Sequence, residues 1–145
     1  MKHMMIALSQ ARFQEIVGRH DNPEILKYFD DLGYDGSKLK DETSWCSAFV
    51  NWVCKEAGLE YNNKLNARSH LDYGNTVINP ELGDKVIFWR ESKDSWKGHV
   101  GFYIREDSKY IFVLGGNQSN QVKVSAYLKS RVLGYRRMTG KVYST

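Results

Sequence analysis

The spacing of apolar residues divides this chain into a helical first part and a strand-rich second part. Apolar side chains recur every three or four positions up to about residue 58, which predicts helices over residues 7–20, 23–32 and 43–58. A short helix is predicted over residues 67–74. Beyond it, short apolar runs separated by turn residues predict strands over residues 85–90, 99–105, 110–115, 122–126 and 132–138.

Helices followed by a sheet are typical of the α+β class. A length of 145 residues suits one domain with one hydrophobic core. We therefore expect a single domain over residues 1–145. Its helical part covers about residues 7–58, and a mostly antiparallel sheet of about five strands covers about residues 85–138.

The predicted helix over residues 43–58 carries Cys46 in its first turn. Thr43 or Ser44 can cap its N-terminus, and Gly58 can end it. Backbone N–H groups and the positive end of the helix dipole stabilise a thiolate at that position. A cysteine buried only for packing would fit the same pattern, so a nucleophile needs a base elsewhere in the chain.

The second cysteine, Cys54, lies eight residues further along the same predicted helix. That separation corresponds to about 12 Å of helical rise, which exceeds the reach of a disulfide. We expect two thiols, with Cys54 serving the packing of the core.

The charge and the N-terminus limit the classes of partner. A net charge of +4 and a pI of about 9.0 suit a polyanionic partner such as nucleic acid or a bacterial wall polymer, and a solvated surface explains them equally well. No arginine-rich helix or RNA-binding aromatic motif favours nucleic acid. The apolar run at residues 4–8 is shorter than a signal-peptide core, so we expect synthesis in the cytoplasm without a signal peptide. No stretch is long enough for stable membrane insertion.

Four histidines are candidates for the base. His3 lies near the terminus, His20 lies at a predicted helix end, and His70 lies on a short helix where we expect exposure to solvent. His99 begins an apolar strand directly after Gly98, which lets another backbone approach closely. A hydrogen-bonded core histidine would fit the same position, but His99 is the best candidate for a base.

A base of this kind needs a polar group that holds its ring. If the second and third strands of the predicted sheet are joined by the three-residue loop 107–109, Glu106 pairs with Tyr110 and His99 pairs with Asn117. A two-residue loop would place Asn117 on the other face of the sheet. Asn117 is therefore the first candidate for this role, and Gln118 is its rival.

Five segments in order resemble the NlpC/P60 and CHAP superfamily of cysteine peptidases and amidases, in its small single-domain branch from bacteria and phages. They are WCSAFVNW (residues 45–52), ARS (67–69), GDKVIFW (83–89), GHVGFY (98–103) and LGGNQSN (114–120). The resemblance covers residues 43–138, and it implies a papain-like α+β fold. One departure is His70, since related sequences tend to carry an aromatic residue after Arg-Ser.

The resemblance implies a monomeric, cofactor-free and metal-free hydrolase that cleaves an amide bond of peptidoglycan, as an endopeptidase or an N-acetylmuramoyl-L-alanine amidase. Cys46 corresponds to the nucleophile, His99 to the base, and the third polar residue maps near Asn117. The backbone N–H of Cys46 and a donor from Ser44 would stabilise the oxyanion, and Trp45 would form a wall of the cleft.

We expect a phage endolysin or a bacterial lytic protein that acts in the periplasm or on the wall after release through a holin or a secretion machine. A secreted antibacterial effector amidase is an alternative role. A non-catalytic wall-binding module on the same scaffold is an alternative class. A zinc amidase is less favoured, because the sequence has no HExxH motif.

Overall fold

The computed structural model describes residues 1–11, 23–35, 45–119 and 121–140. In its first part, α1 spans Lys2–Ser9, α2 spans Pro23–Asp30 and α3 spans Cys46–Glu56. Both α1 and α2 pack on α3, which is the central helix of the domain. The prediction of a helix over residues 7–20 is wrong for its described beginning, because α1 starts at Lys2 and ends at Ser9. Residues 12–20 lie outside the described part.

The ends of α3 differ in how well the sequence predicted them. The helix begins at Cys46, later than the predicted start at Thr43, and its N-cap is Trp45, which makes no side-chain capping bond. The predicted caps Thr43 and Ser44 lie outside the described residues. α3 ends at Glu56, and Gly58, the predicted stop, follows the C-cap Ala57 with a φ of 76°. The N–H of Leu59 then donates to the carbonyl of Cys54 at 2.8 Å, as in a Schellman motif.

The second part of the chain forms a six-stranded antiparallel sheet of order β1-β6-β2-β3-β4-β5. The strands are β1 Asn75–Val77, β2 Lys85–Trp89, β3 Gly98–Glu106, β4 Tyr110–Gln118, β5 Gln121–Leu128 and β6 Val132–Arg137. The last five confirm the predicted strands. The prediction missed β1, a three-residue edge strand that pairs with β6 and has no buried residue to give it an apolar pattern. The α+β class is thereby confirmed.

The sheet buries both of its faces. One face packs against the helices, and α3 lies directly on β3 and β4. The other face carries a second cluster of buried side chains, Val86, Phe88, Tyr103, Ile111 and Val113. Across this face the rings of Phe88 on β2 and Tyr127 on β5 stack with centroids 4.8 Å apart. No described helix combines the length and apolar character that crossing a bilayer requires.

Close contact between α3 and β4 depends on Gly116. A Cβ atom at this position would lie 2.8 Å from Cβ of Phe49 and 2.8 Å from the ring of Trp45. These neighbours belong to the first turns of α3 and are fully buried. The missing side chain of Gly116 therefore sets how closely the N-terminal half of α3 approaches the end of β4.

We expect the substitution Gly116→Ala to lower the free energy of unfolding by about 2 kcal/mol, because the added methyl group overpacks a filled core. The matched control is Gly140→Ala, where the added Cβ meets no heavy atom within 4 Å. Urea unfolding of both variants measures the difference. Equal stability of the two variants would show that the contact between α3 and β4 is not tightly packed.

Candidate active site

Cys46 and His99 lie at the same end of the sheet. His99 is the second residue of β3, and β4 runs antiparallel to β3, so the C-terminal end of β4 lies beside the start of β3. That end of β4 contacts Trp45, the residue before Cys46, through Gly116. The fold therefore brings the predicted nucleophile and the predicted base to one region from segments more than fifty residues apart.

Gln118 holds the ring of His99. Nε2 of His99 and Oε1 of Gln118 are 2.8 Å apart, and both residues are buried. The amide nitrogen of Gln118 donates to the carbonyls of Val113 at 3.2 Å and Lys123 at 2.5 Å, which fixes Oε1 as the acceptor toward His99. Nε2 must then carry a proton, so Nδ1 carries the lone pair when the ring is neutral. A base in this tautomer accepts a proton at Nδ1.

The prediction that Asn117 orients His99 is wrong, because the imidazole is hydrogen-bonded to the rival candidate, Gln118. The pairing of β4 with β5 shifts between Gly115 and Gln118, and Asn117 takes a left-handed φ of 57°. This irregularity breaks the alternation of side chains along β4. Gln118 therefore turns toward His99 and Asn117 does not.

The hairpin between β3 and β4 confirms the predicted three-residue loop but only part of the predicted register. In the middle of the hairpin Phe102 pairs with Leu114, which belongs to the register that would set His99 opposite Asn117. A shift nearer the loop pairs Glu106 one residue further along β4 than predicted. Register alone was therefore insufficient to choose between Asn117 and Gln118.

Gly115 makes room for the Gln118 amide. A Cβ atom at Gly115 would lie 2.6 Å from Oε1 of Gln118, so any larger residue would push the amide away from His99. The consecutive glycines 115 and 116 thus allow close packing on opposite faces of β4. One accommodates the Gln118 side chain, and the other accommodates α3.

The sequence reasoning missed Tyr127, whose ring covers one face of the His99 imidazole. The two rings stack with centroids 4.9 Å apart, and Tyr127 also stacks on Phe88. Burial raises the pKa of Tyr127, and the charge that Cys46 would carry as a thiolate raises it further. Cys46 is therefore within electrostatic range of the ring that packs on His99. No local pattern marks Tyr127, because it reaches the site only through contacts with strands distant in the chain.

A cavity of about 190 Å³ opens beside His99. It is lined by residues of strands β2 to β5 and of the segments that follow β2, β4 and β5: Phe88, Trp89, Arg90, His99, Asn117, Gln118, Ser119, Tyr127 and Arg131. Cys46 is 1% exposed and does not line this cavity. The cavity therefore opens on the His99 side of the site, and the side chain of Cys46 is covered by its neighbours.

Two further predictions concern residues next to Cys46. Trp45 was expected to form a wall of the cleft, but it is fully buried and stacks on Tyr28 with centroids 6.1 Å apart, so it belongs to the core. Ser44, the expected second oxyanion donor, lies outside the described residues.

The expectation that His70 is exposed is wrong, because it is completely buried. Its Nε2 lies 2.8 Å from Oγ of Ser47, and its Nδ1 lies 2.9 Å from Nζ of Lys85. Ser47 donates its own proton to the carbonyl of Lys64 at 2.5 Å, so His70 donates from Nε2 and accepts from Lys85 at Nδ1. This chain of bonds ties the residue after Cys46 to β2.

Burial and, next, the positive charge of Lys85 lower the pKa of His70 well below its usual value. Burial likewise lowers the pKa of Lys85 to about 8.

The sequence carries a signal for the burial of His70 that the prediction did not use. Ser47, Asn51 and Cys54 form a stripe of polar or sulfur-containing residues along one side of an otherwise apolar helix. Asn51 also donates to the carbonyl of Lys64, at 3.0 Å.

The family model that matches this chain is the CHAP domain, over residues 38–117. The match spans more than half of the chain and contains both Cys46 and His99. The chain belongs to the CHAP domain family. No curated protein matches the chain.

Membership of the CHAP family indicates a hydrolase of the amidase or peptidase type with peptidoglycan as its substrate. The match ends at Asn117, one residue before the side chain that binds His99. In the described part of the chain, no group of three His, Cys, Asp or Glu side chains is placed to hold a metal ion.

We expect the free energy of unfolding to fall by about 1 kcal/mol more in this protein than in the His70→Gln variant when the pH is lowered from 6.5 to 5. The pKa of His70 is lower in the folded protein than its value of 6.5 in an unfolded chain, so the unfolded chain binds the proton preferentially and acid favours unfolding. Urea unfolding at both pH values measures the two slopes.

His3, whose pKa is also lowered by burial, is present in both proteins and cancels from this comparison. Parallel slopes for the two proteins would mean that His70 is not held neutral by its surroundings.

Proposed function

We propose that this CHAP domain cleaves an amide bond of peptidoglycan by cysteine nucleophilic catalysis. The observation that carries the proposal is the hydrogen bond from His99 to the doubly anchored amide of Gln118. It leaves Nδ1 as the basic nitrogen of a buried imidazole at the end of the sheet where the helix of Cys46 begins.

In the first step, Nδ1 of His99 takes the proton of the Cys46 thiol, and the resulting thiolate attacks the carbonyl carbon of the wall peptide. Two features favour the thiolate. The imidazolium would supply a positive charge, and Cys46 is the first residue of α3, at the positive end of the helix dipole.

The tetrahedral intermediate places a negative charge on the former carbonyl oxygen. We assign its stabilisation to the backbone N–H of Cys46, because the N–H groups of a helix's first turn are not used by the helical hydrogen-bond ladder. Ser44 remains a proposed second donor. Protonated His99 then gives its proton to the leaving amine, and the acyl group stays on sulfur as a thioester.

A water molecule completes the reaction. His99 takes its proton, the hydroxide attacks the thioester, and the carboxylic acid product leaves as the thiol is restored. Gln118 contributes by keeping the ring in one orientation and by stabilising the imidazolium through Oε1. Tyr127, whose ring centroid lies 4.9 Å from that of His99, excludes water from one face of the imidazole.

For the biological role we propose a phage endolysin or a bacterial lytic protein that acts on the wall as a monomer. A secreted effector amidase uses the same chemistry. A basic chain with a net charge of +4 is attracted to the anionic polymers of a bacterial wall.

We expect Cys46→Ala to abolish release of soluble muropeptides from purified peptidoglycan, as analysed by mass spectrometry, and to leave the fold intact. Cys54→Ala is the matched control on the same helix. Its thiol is buried, which raises its pKa to about 11, so it is a poor nucleophile. Cleavage that survives Cys46→Ala would contradict the mechanism. Binding to the wall without any cleavage by the unsubstituted protein would favour a wall-binding module.

A further inference from the structure

A groove extends the cavity beside His99 along the molecular surface. Its volume is about 450 Å³. Its walls are the segment between β2 and β3, the segment that leads into the 3₁₀ helix Ala67–Asp72, and the residue that precedes β6. Arg90 and Arg131 line both the groove and the cavity beside His99. The two spaces therefore meet at this pair of arginines.

The outer wall of the groove is held in place by Arg68. Its guanidinium group donates to the carbonyls of Lys97 at 2.7 Å, Lys93 at 2.6 Å and Ser92 at 2.8 Å. Three bonds from one planar group fix the backbone of the segment between β2 and β3. That segment presents the indole of Trp96, which is 72% exposed, to the groove.

The lining of the groove carries more positive than negative charge. Glu91 is the acidic residue of its lining, and it forms an ion pair with Lys97 at 2.7 Å. Arg90 and Arg131 are exposed, and within the described part of the chain neither forms an ion pair with a carboxylate. The guanidinium group of Arg131 lies over the ring of Trp89 at 4.9 Å, which limits its orientations.

We propose that Arg90 and Arg131 bind a free carboxylate of the substrate peptide next to the bond that is cleaved, while Trp96 packs on an apolar part of the same peptide. The proposal rests on the proposed function. Guanidinium groups bind carboxylates through paired N–H donors, and a carboxylate at this point would supply the negative charge that the groove lacks. The domain would therefore discriminate between acidic and amidated wall peptides.

The test compares solubilised wall fragments with the same fragments after chemical conversion of their carboxylates to amides. The variants are Arg90→Gln and Arg131→Gln, and the matched control is Arg105→Gln, an exposed arginine of β3 whose guanidinium lies over Phe112 and outside both spaces. Cleavage rates are measured for each protein on both substrates. Binding of both substrates is measured separately, with each substitution placed in the Cys46→Ala background.

We expect each groove variant to raise KM for the acidic fragments about tenfold with little change in kcat, because a charge-assisted hydrogen bond made on binding is lost. Amidation should weaken binding to the unsubstituted groove by a similar factor and should have little further effect on the variants. The Arg105→Gln variant should behave as the parent protein does.

Equal binding of acidic and amidated fragments by the Cys46→Ala protein would overturn the carboxylate site, whatever the rate of cleavage. A failure of the proposed function looks different. In that case, binding still discriminates between the two substrates, but neither is cleaved.

Discussion

The proposed chemistry depends on the hydrogen bond between Gln118 and His99. The amide of Gln118 cannot turn, because its nitrogen donates to two backbone carbonyls, one on its own strand and one on β5. Its oxygen therefore accepts from Nε2 of His99 at 2.8 Å and fixes the position of the proton on the ring. Two strands of backbone thus determine which imidazole nitrogen is basic.

Placing Gln118 there requires a sheet that departs from regular pleating. The pairing of β4 with β5 shifts after Gly115, and the absence of a side chain at Gly115 leaves room for the amide. The next residue, Gly116, receives the first turns of α3 on the opposite face. Two adjacent glycines therefore position both the residue that holds the proposed base and the helix that carries the proposed nucleophile.

Hydrogen bonds between buried polar groups also fix the position of α3. Ser47, the neighbour of Cys46, is linked through His70 to Lys85 of β2 and directly to the carbonyl of Lys64. Buried polar groups are costly unless they are paired, so this chain of bonds favours one position of α3 over others that would break it. Such specificity suits a helix whose first turn carries the proposed nucleophile.

The amino-acid sequence carries much of this arrangement but not all of it. Helical spacing placed Cys46 in a first turn, and the glycine before an apolar strand singled out His99. The choice between Asn117 and Gln118 depended on an irregularity in β4 that pairing rules do not contain. The burial of His70 and the stacking of Tyr127 arise from contacts between segments distant in the chain, which local patterns do not reveal.

The most direct test of the central claim is the pH dependence of Cys46 alkylation by iodoacetamide, with the modified residue identified by peptide mass spectrometry. An ion pair between the Cys46 thiolate and a His99 ring held by Gln118 predicts rapid alkylation of Cys46 near pH 6, well below the ordinary thiol pKa of about 8.5. Gln118→Leu should slow that reaction, and Asn117→Ala should not. Cys46 reactivity that rises only near pH 8.5, equally in all three proteins, would contradict the account.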